Sequence, residues 1–145
     1  MLNLSRYKII AIGKVKKKWI QTGVDIYLNR LPGLQVVEIK DSNQKKETLA
    51  IKQNLKKNET LIILNEKGKT FSSKEFAKKL QEPSHQLITF AIGGACGLSS
   101  ELNASASLQL SLSSFTFPHE LARLLLLEQL YRAKTISQGN PYHKE

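Results

Sequence analysis

The sequence predicts a single-domain α/β fold spanning residues 1–145, with a mostly parallel sheet of about five strands flanked by helices. Three observations carry that prediction. Five short apolar, β-branched runs alternate with segments of helical spacing, the pattern of a parallel sheet joined by crossovers. Three of the runs hold inner stretches, IIAI, LIIL and ITFAI, that read as continuous apolar strands, as expected when helices cover both faces of a sheet. A chain of 145 residues with 41% hydrophobic and 23% charged content has the size and composition of one globular core. No internal repeat or low-complexity tract divides it.

In chain order, Tyr7–Gly13 (YKIIAIG) is the first strand. Ile20, Val24, Tyr27, Leu28 and Leu31 then recur at three and four residues, which predicts an amphipathic helix over Trp19–Leu31. Leu34–Lys40 is the second strand and Asp41–Lys46 a polar loop. Leu49, Ile51 and Leu55 among lysines predict a helix over Lys45–Lys57. Thr60–Glu66 is the third strand. Ser72-Ser73-Lys74-Glu75 fits a capping box, with Ser72 receiving from the Glu75 amide and Glu75 reaching back, so the next helix turns Phe76 and Leu80 inward. Leu87–Gly94 is the fourth strand, followed by a glycine turn and a helix from Ser99/Ser100. Leu108–Phe117 is the fifth. Pro118 opens a long helix, His119–Gln138, which Gly139, Asn140 and Pro141 end.

Composition narrows the function classes. Cys96 is the one cysteine, so an intrachain disulfide is excluded and a reducing compartment fits. No stretch approaches the ~20 apolar residues of a membrane span, and residues 1–6 hold no apolar core of signal-peptide length. A soluble, cytoplasmic protein with no membrane partner is the expectation. The formal charge is +10, and it is lopsided. Residues 1–92 carry 18 Lys and Arg against 8 Asp and Glu, while residues 93–145 carry four of each sign. A basic body beside a balanced C-terminal third suits a polyanion such as RNA, since phosphate contacts release counterions; lysine-rich helices that merely stay soluble would look the same.

Three segments hold residues suited to chemistry. Gly93-Gly94-Ala95-Cys96-Gly97 follows a buried strand, where glycines let a ligand approach the backbone. It matches neither the dinucleotide fingerprint nor the Walker A loop, and a plain turn needing positive φ is the alternative. Leu112–His119 is either a strand end with Pro118 in the first helical turn or a loop framing a small ligand. Glu120, Arg123, Glu128 and Arg132 lie on the last helix, where Glu128 and Arg132 form an i, i+4 pair. The tail Asn140–Glu145 packs Tyr142, His143 and Lys144 together, or frays as termini do.

Taken together, the residues resemble a known family. FTFPHELARLLLLEQLYRAKTIS and the terminal NPYHKE are similar, nearly position for position, to the C-terminus of RlmH-type SPOUT methyltransferases. That pattern joins a Pro-His run, an Arg four residues on, E-Q-x-Y-R-A and a terminal Tyr-His. AIGK, KWIQTGVDIYLNRL, LNEKGKTFSSKEFA and FAIGGACGL extend the resemblance over the whole chain. It implies a C-terminal trefoil knot, S-adenosyl-L-methionine (SAM) bound within that knot, a homodimer, no metal, and methylation of N3 of a pseudouridine in 23S rRNA of the assembled ribosome. Carried over by position, the SAM-binding residues are Leu64, Gly93 and Leu112, Ser113, Ser114, Phe115, Thr116 and Phe117. Arg132, Tyr142 and His143 are the expected catalytic residues, with tails from both subunits completing the site. The chain departs from the family pattern at Asn65 and Cys96, where an acidic or polar residue is usual. An RNA-docking factor without catalysis and an enzyme using the Cys96 thiolate are the rival readings.

Overall fold

The computed structural model describes residues 2–82 and 87–145; Met1, part of the N-terminal stretch considered above, lies outside them, as do residues 83–86. Five strands, β1 (Tyr7–Ile12), β2 (Gln35–Ile39), β3 (Thr60–Thr70), β4 (Ile88–Ile92) and β5 (Leu108–Ser111), alternate with helices α1 (Lys18–Asn29), α2 (Gln44–Gln53), α3 (Ser73–Leu80), α4 (Ser100–Ser105) and α5 (His119–Ser137). They form one sheet in the order β2-β1-β4-β3-β5, and every neighbouring pair is parallel.

Alternation along the strands explains why both faces are covered. Ile9 and Ala11 of β1, Ile62 of β3 and Phe90 and Ile92 of β4 pack against α1, α3 and α5. Their neighbours Ile10, Ile12, Leu61, Ile63 and Ala91 point to the other face, against α2 and α4. Strand side chains alternate with period two, so the central strands need consecutive apolar residues to cover both faces, as Ile9–Ile12 and Leu61–Ile63 supply. Steps to one side of the sheet (β1 to β2, β3 to β4) run over the α1/α3 face, and steps to the other side (β2 to β3, β4 to β5) over the α2/α4 face. Every crossover therefore has the same hand, as parallel sheets require.

The capping box at Ser72 forms as its spacing predicts: Glu75 N donates to Ser72 Oγ at 3.1 Å and Ser72 N to Glu75 Oε1 at 2.8 Å. Phe76 and Leu80 are buried beneath it. Among the described residues no helix is long and apolar enough to cross a membrane.

Three boundaries differ from the sequence expectation by more than two residues. The fifth strand stops at Ser111 rather than running to Phe117. There the Ser111 hydroxyl lies 3.0 Å from Glu66 O and 2.9 Å from Ser113 O, and Ser113 Oγ accepts from Phe115 N at 3.1 Å. Serines that satisfy nearby backbone divert the chain from a ladder into a loop. The third strand is longer than expected: Leu64 and Lys69 both face Leu110, and residues 65–68 swing out between them. Gly68 permits this, because a Cβ there would sit 2.4 Å from Gln109 O. Finally, α2 starts at Gln44, capped by the Asn43 side chain on Lys46 N, and ends at Gln53 instead of Lys57.

Phe90 is fully buried at the centre of the sheet. Phe90→Ala should lower unfolding free energy by about 3–5 kcal/mol, the usual cost of emptying such a site. Urea titration checks this, and a loss under about 1 kcal/mol would mean the sheet is not packed as described.

Candidate active site

Parallel strands that lie side by side release their following loops at the same edge, and ligands in open α/β sheets bind there. The strands β4, β3 and β5 are neighbours, so their three loops meet. Leu64, Asn65 and Glu66 from β3, Gly93, Gly94, Ala95, Gly97 and Leu98 from the glycine turn, and Leu112, Ser113 and Phe115–His119 from the last loop line one cleft of about 570 Å³. The two segments that sequence reading could not connect are therefore opposite walls of one space. Of the eight expected SAM-binding positions, Leu64, Gly93, Leu112, Ser113, Phe115, Thr116 and Phe117 line it. Ser114, which is exposed, does not.

The glycine turn owes its shape to two different properties of glycine. Gly97 has φ +68°, which closes the turn with Gly97 N donating to Gly94 O at 3.0 Å. Gly93 and Gly94 are there for space. A Cβ on Gly93 would lie 3.1 Å from Leu98 Cγ, and one on Gly94 would lie 3.0 Å from Ile12 Cγ2. Cys96 is exposed and does not line the cleft. The Asn65 amide is turned to Gln109 Oε1 at 2.8 Å while its oxygen takes Lys67 N at 3.0 Å, so its polar groups are spent on holding the loop. Glu66 is the one carboxylate in the lining and bonds the Thr116 hydroxyl. Among the described residues no Lys or Arg lines the cleft, although the chain carries +10 overall.

The expected catalytic residues are elsewhere. Arg132 is 13 residues beyond His119 on α5, about 20 Å along the helix at 1.5 Å per residue. There it builds a second cluster with the tail. Glu128 binds Arg132 through Nη2 at 2.8 Å and Nε at 3.2 Å, and accepts from the Tyr142 hydroxyl at 2.9 Å. Arg132 Nη1 lies 3.2 Å from His143 Nδ1, and its guanidinium lies over the Tyr142 ring, 4.9 Å from the centroid. Tyr142 packs edge-on against Tyr131 at 4.8 Å. The tail is thus pinned at Tyr142 and His143. Arginine has only protons to give, so His143 Nδ1 accepts and its proton sits on Nε2, a buried atom with no partner among the described residues. The Tyr27 hydroxyl beside it, burial and the Glu128 carboxylate push the Tyr142 phenol above its ordinary range. At neutral pH Tyr142 therefore donates a hydrogen bond.

Sequence reading left Glu128 as a surface pair and missed Tyr27, Arg30 and Tyr131 as members of this cluster. Arg30 lies 5.4 Å from the Tyr27 ring and 5.1 Å from the Tyr131 ring. The three-residue spacing of Tyr27 and Arg30 puts them on one helix face, the signal that was available.

The first turn of α5 also holds the β1–α1 loop. Glu120 Oε1 accepts from Lys16 N at 2.9 Å and Lys17 N at 3.1 Å. Arg123, buried, donates to Gly13 O at 2.9 Å and pairs with Glu38. His119 and Ala122, on the other side of that turn, line the cleft.

Comparison with known proteins agrees with this architecture. A family model described as a predicted SPOUT methyltransferase matches residues 5–143. Proteins named Ribosomal RNA large subunit methyltransferase H from Prochlorococcus marinus strains NATL2A and NATL1A are 67% and 66% identical over 145 residues, covering 100% of both chains. One of the same name from Synechococcus sp. strain CC9605 is 54% identical over 99% of each chain. Among solved structures, a probable methylase family protein from Haemophilus influenzae Rd KW20 superposes with a TM-score of 0.63 at 15% identity, over 99% of this chain and 72% of that one. The SpoU methyltransferase AviRb from Streptomyces viridochromogenes, solved with AdoMet, gives 0.51 at 10% identity over 92% and 60%.

The Glu120 carboxyl is held below its ordinary range, first by the Lys17 amide, against burial, then by the Lys16 amide and nearby positive charge. A depressed carboxyl stabilises the fold above its unfolded value, about 4.3, and loses that contribution as pH falls through the folded value. Glu120→Gln should be less stable than the parent protein at pH 7, with the gap closing below about pH 4. Urea midpoints measured across pH check this, and a gap that ignores pH would contradict it.

Proposed function

Because the chain belongs to the SPOUT methyltransferase family, we propose that it transfers a methyl group from SAM to N3 of a pseudouridine in 23S rRNA of the assembled ribosome. One observation carries the reading: three strand-end loops form a single cleft of about 570 Å³ that holds seven of the eight expected donor-binding residues. The cleft fits the donor in kind as well as size. Its lining joins apolar side chains and turn backbone with the polar groups of Asn65, Asn103, Ser113, Thr116 and His119; among the described residues its only carboxylate is Glu66, and none of the chain's many lysines lines it. Bound there, SAM supplies an electrophilic methyl on a sulfonium cation, whose charge such a lining tolerates. Leu64, the turn at Gly93 and Leu112–Phe117 are the residues that hold it. In this reading the last loop is part of the trefoil knot that the family resemblance implies.

The acceptor is an imide whose N3 proton must leave before or during attack. The cluster at the far end of α5 supplies groups for that work. As Arg132 turns from His143 Nδ1 to the base carbonyl, it stabilises the imidate oxygen and frees the Nδ1 lone pair to take the N3 proton. The Tyr142 phenol stays protonated and donates to, or stacks on, the base. Since Arg132 lies about 15 Å along α5 beyond Ala122, the last helix residue lining the cleft of its own chain, a second copy supplies these residues. A two-fold homodimer makes two such sites. Working on ribosomes places the protein in the cytoplasm.

Calorimetry with SAM and its demethylated product should show binding at the cleft. No heat with either would favour a docking factor without catalysis. Arg132→Ala and truncation before Tyr142 should keep SAM affinity within about 3-fold while lowering transfer by at least the 10²–10⁴ typical of positioned proton-transfer groups. Parent-level turnover in either would refute their assignment. Cys96→Ser should cost little, and loss of all activity would favour the cysteine enzyme. Mass mapping of 23S rRNA from cells with and without the gene tests the target base.

A further inference from the structure

We propose that the β1–α1 loop with the first residue pair of α1, Lys14–Trp19, is the RNA-docking element of this protein: its lysines take backbone phosphates and Trp19 stacks on an unpaired base. The proposal rests on the methyltransferase reading and names how the substrate is held. Trp19, the one tryptophan of the chain, is 63% exposed, although an indole is normally covered. Lys14, Lys16, Lys17 and Lys18 are exposed around it, and none of their ammonium groups is in an ion pair among the described residues. An aromatic face set among unpaired cations is what single-stranded RNA needs, since bases stack and phosphates pair.

The loop is also built to keep its place. Glu120 holds the Lys16 and Lys17 amides, and Arg123 holds Gly13 O, so the backbone is fixed while the side chains remain free. Fixing it beforehand lowers the ordering cost of binding. It stands at the rim of the cleft. Gly94 of the cleft wall sits against Ile12, the last residue of β1, and His119 of the cleft precedes the Glu120 that grips the loop. RNA bound here would bring an adjacent nucleotide to the donor. The competing occupant is a second copy of this chain, because Ile26, two turns along α1, is also 46% exposed. Four clustered lysines per chain disfavour burying this loop against its own copy, and we commit to RNA.

The test uses the intact protein and ribosomes from a strain lacking its own enzyme. Trp19 fluorescence should be quenched by an octauridine and not by a blunt RNA duplex at equal phosphate. Trp19→Ala should raise KM for ribosomes roughly 5- to 100-fold, the range of one base–aromatic stack, with SAM affinity, kcat and sedimentation unchanged. Trp19→Phe should recover part of it. Replacing Lys16, Lys17 and Lys18 with Gln should flatten the salt dependence of ribosome binding by about two to three units of log–log slope. Unchanged KM in Trp19→Ala, equal quenching by duplex, or a KM rise that tracks dissociation into single chains would overturn the proposal. A parent protein that fails to methylate ribosomes would instead sink the methyltransferase reading itself.

Discussion

A parallel sheet sends every strand end to the same edge, and in this chain the three strands that end beside one another are β4, β3 and β5. That geometric constraint gathers Leu64, the Gly93 turn and the Leu112–Phe117 loop into one cleft. No hydrogen bond or ion pair in the cleft could substitute for it. The same edge launches α5, whose 19 residues form a rigid rod pointing away. One element therefore begins in the cleft wall at His119 and carries Arg132 to the far side of the chain. The separation of the cleft from the Arg132 cluster follows directly from helix rise, and it is the reason a second copy enters the proposal.

Polar groups are placed to serve this layout. Glu120 and Arg123 fasten the β1–α1 loop to the first turn of α5. Glu128 fastens Arg132 and Tyr142 at the other end, and the Arg132–His143 contact sets where the imidazole proton resides. Charge is sorted in the same way. Exposed lysines stand on the β1–α1 loop, while among the described residues none lines the cleft, the sorting of charge that the proposed RNA and SAM sites require.

Much of this was legible in the sequence, for reasons that can be traced to particular residues. Continuous apolar stretches such as IIAI and LIIL announced strands covered on both faces, and Ser72 with Glu75 announced a helix start. Local patterns decide such features. The end of β5 was not legible, because Leu108–Phe117 keeps strand-like composition past the point where the Ser111 and Ser113 hydroxyls take over the backbone's hydrogen bonds. Nor was the union of the glycine turn with the last loop, which depends on strand order across the sheet. Family resemblance supplied that link, and every position it named except Ser114 lies along the cleft. The Tyr27–Arg30 spacing was visible on one helix, but the cluster it joins was hidden because the other members lie on other elements, more than a hundred residues away in the case of Tyr27 and Tyr142.

The most direct test of the account is complementation between two disabled chains. Gly93→Val places methyls against Leu98 and obstructs the donor cleft, while Arg132→Ala removes the acceptor-side guanidinium. Each variant alone should be inactive on ribosomes. Two-tag purification of the hybrid dimer should recover about half of the parent activity, because two-fold symmetry leaves one of its two sites intact. An inactive hybrid built from correctly folded chains would contradict a site shared between two copies.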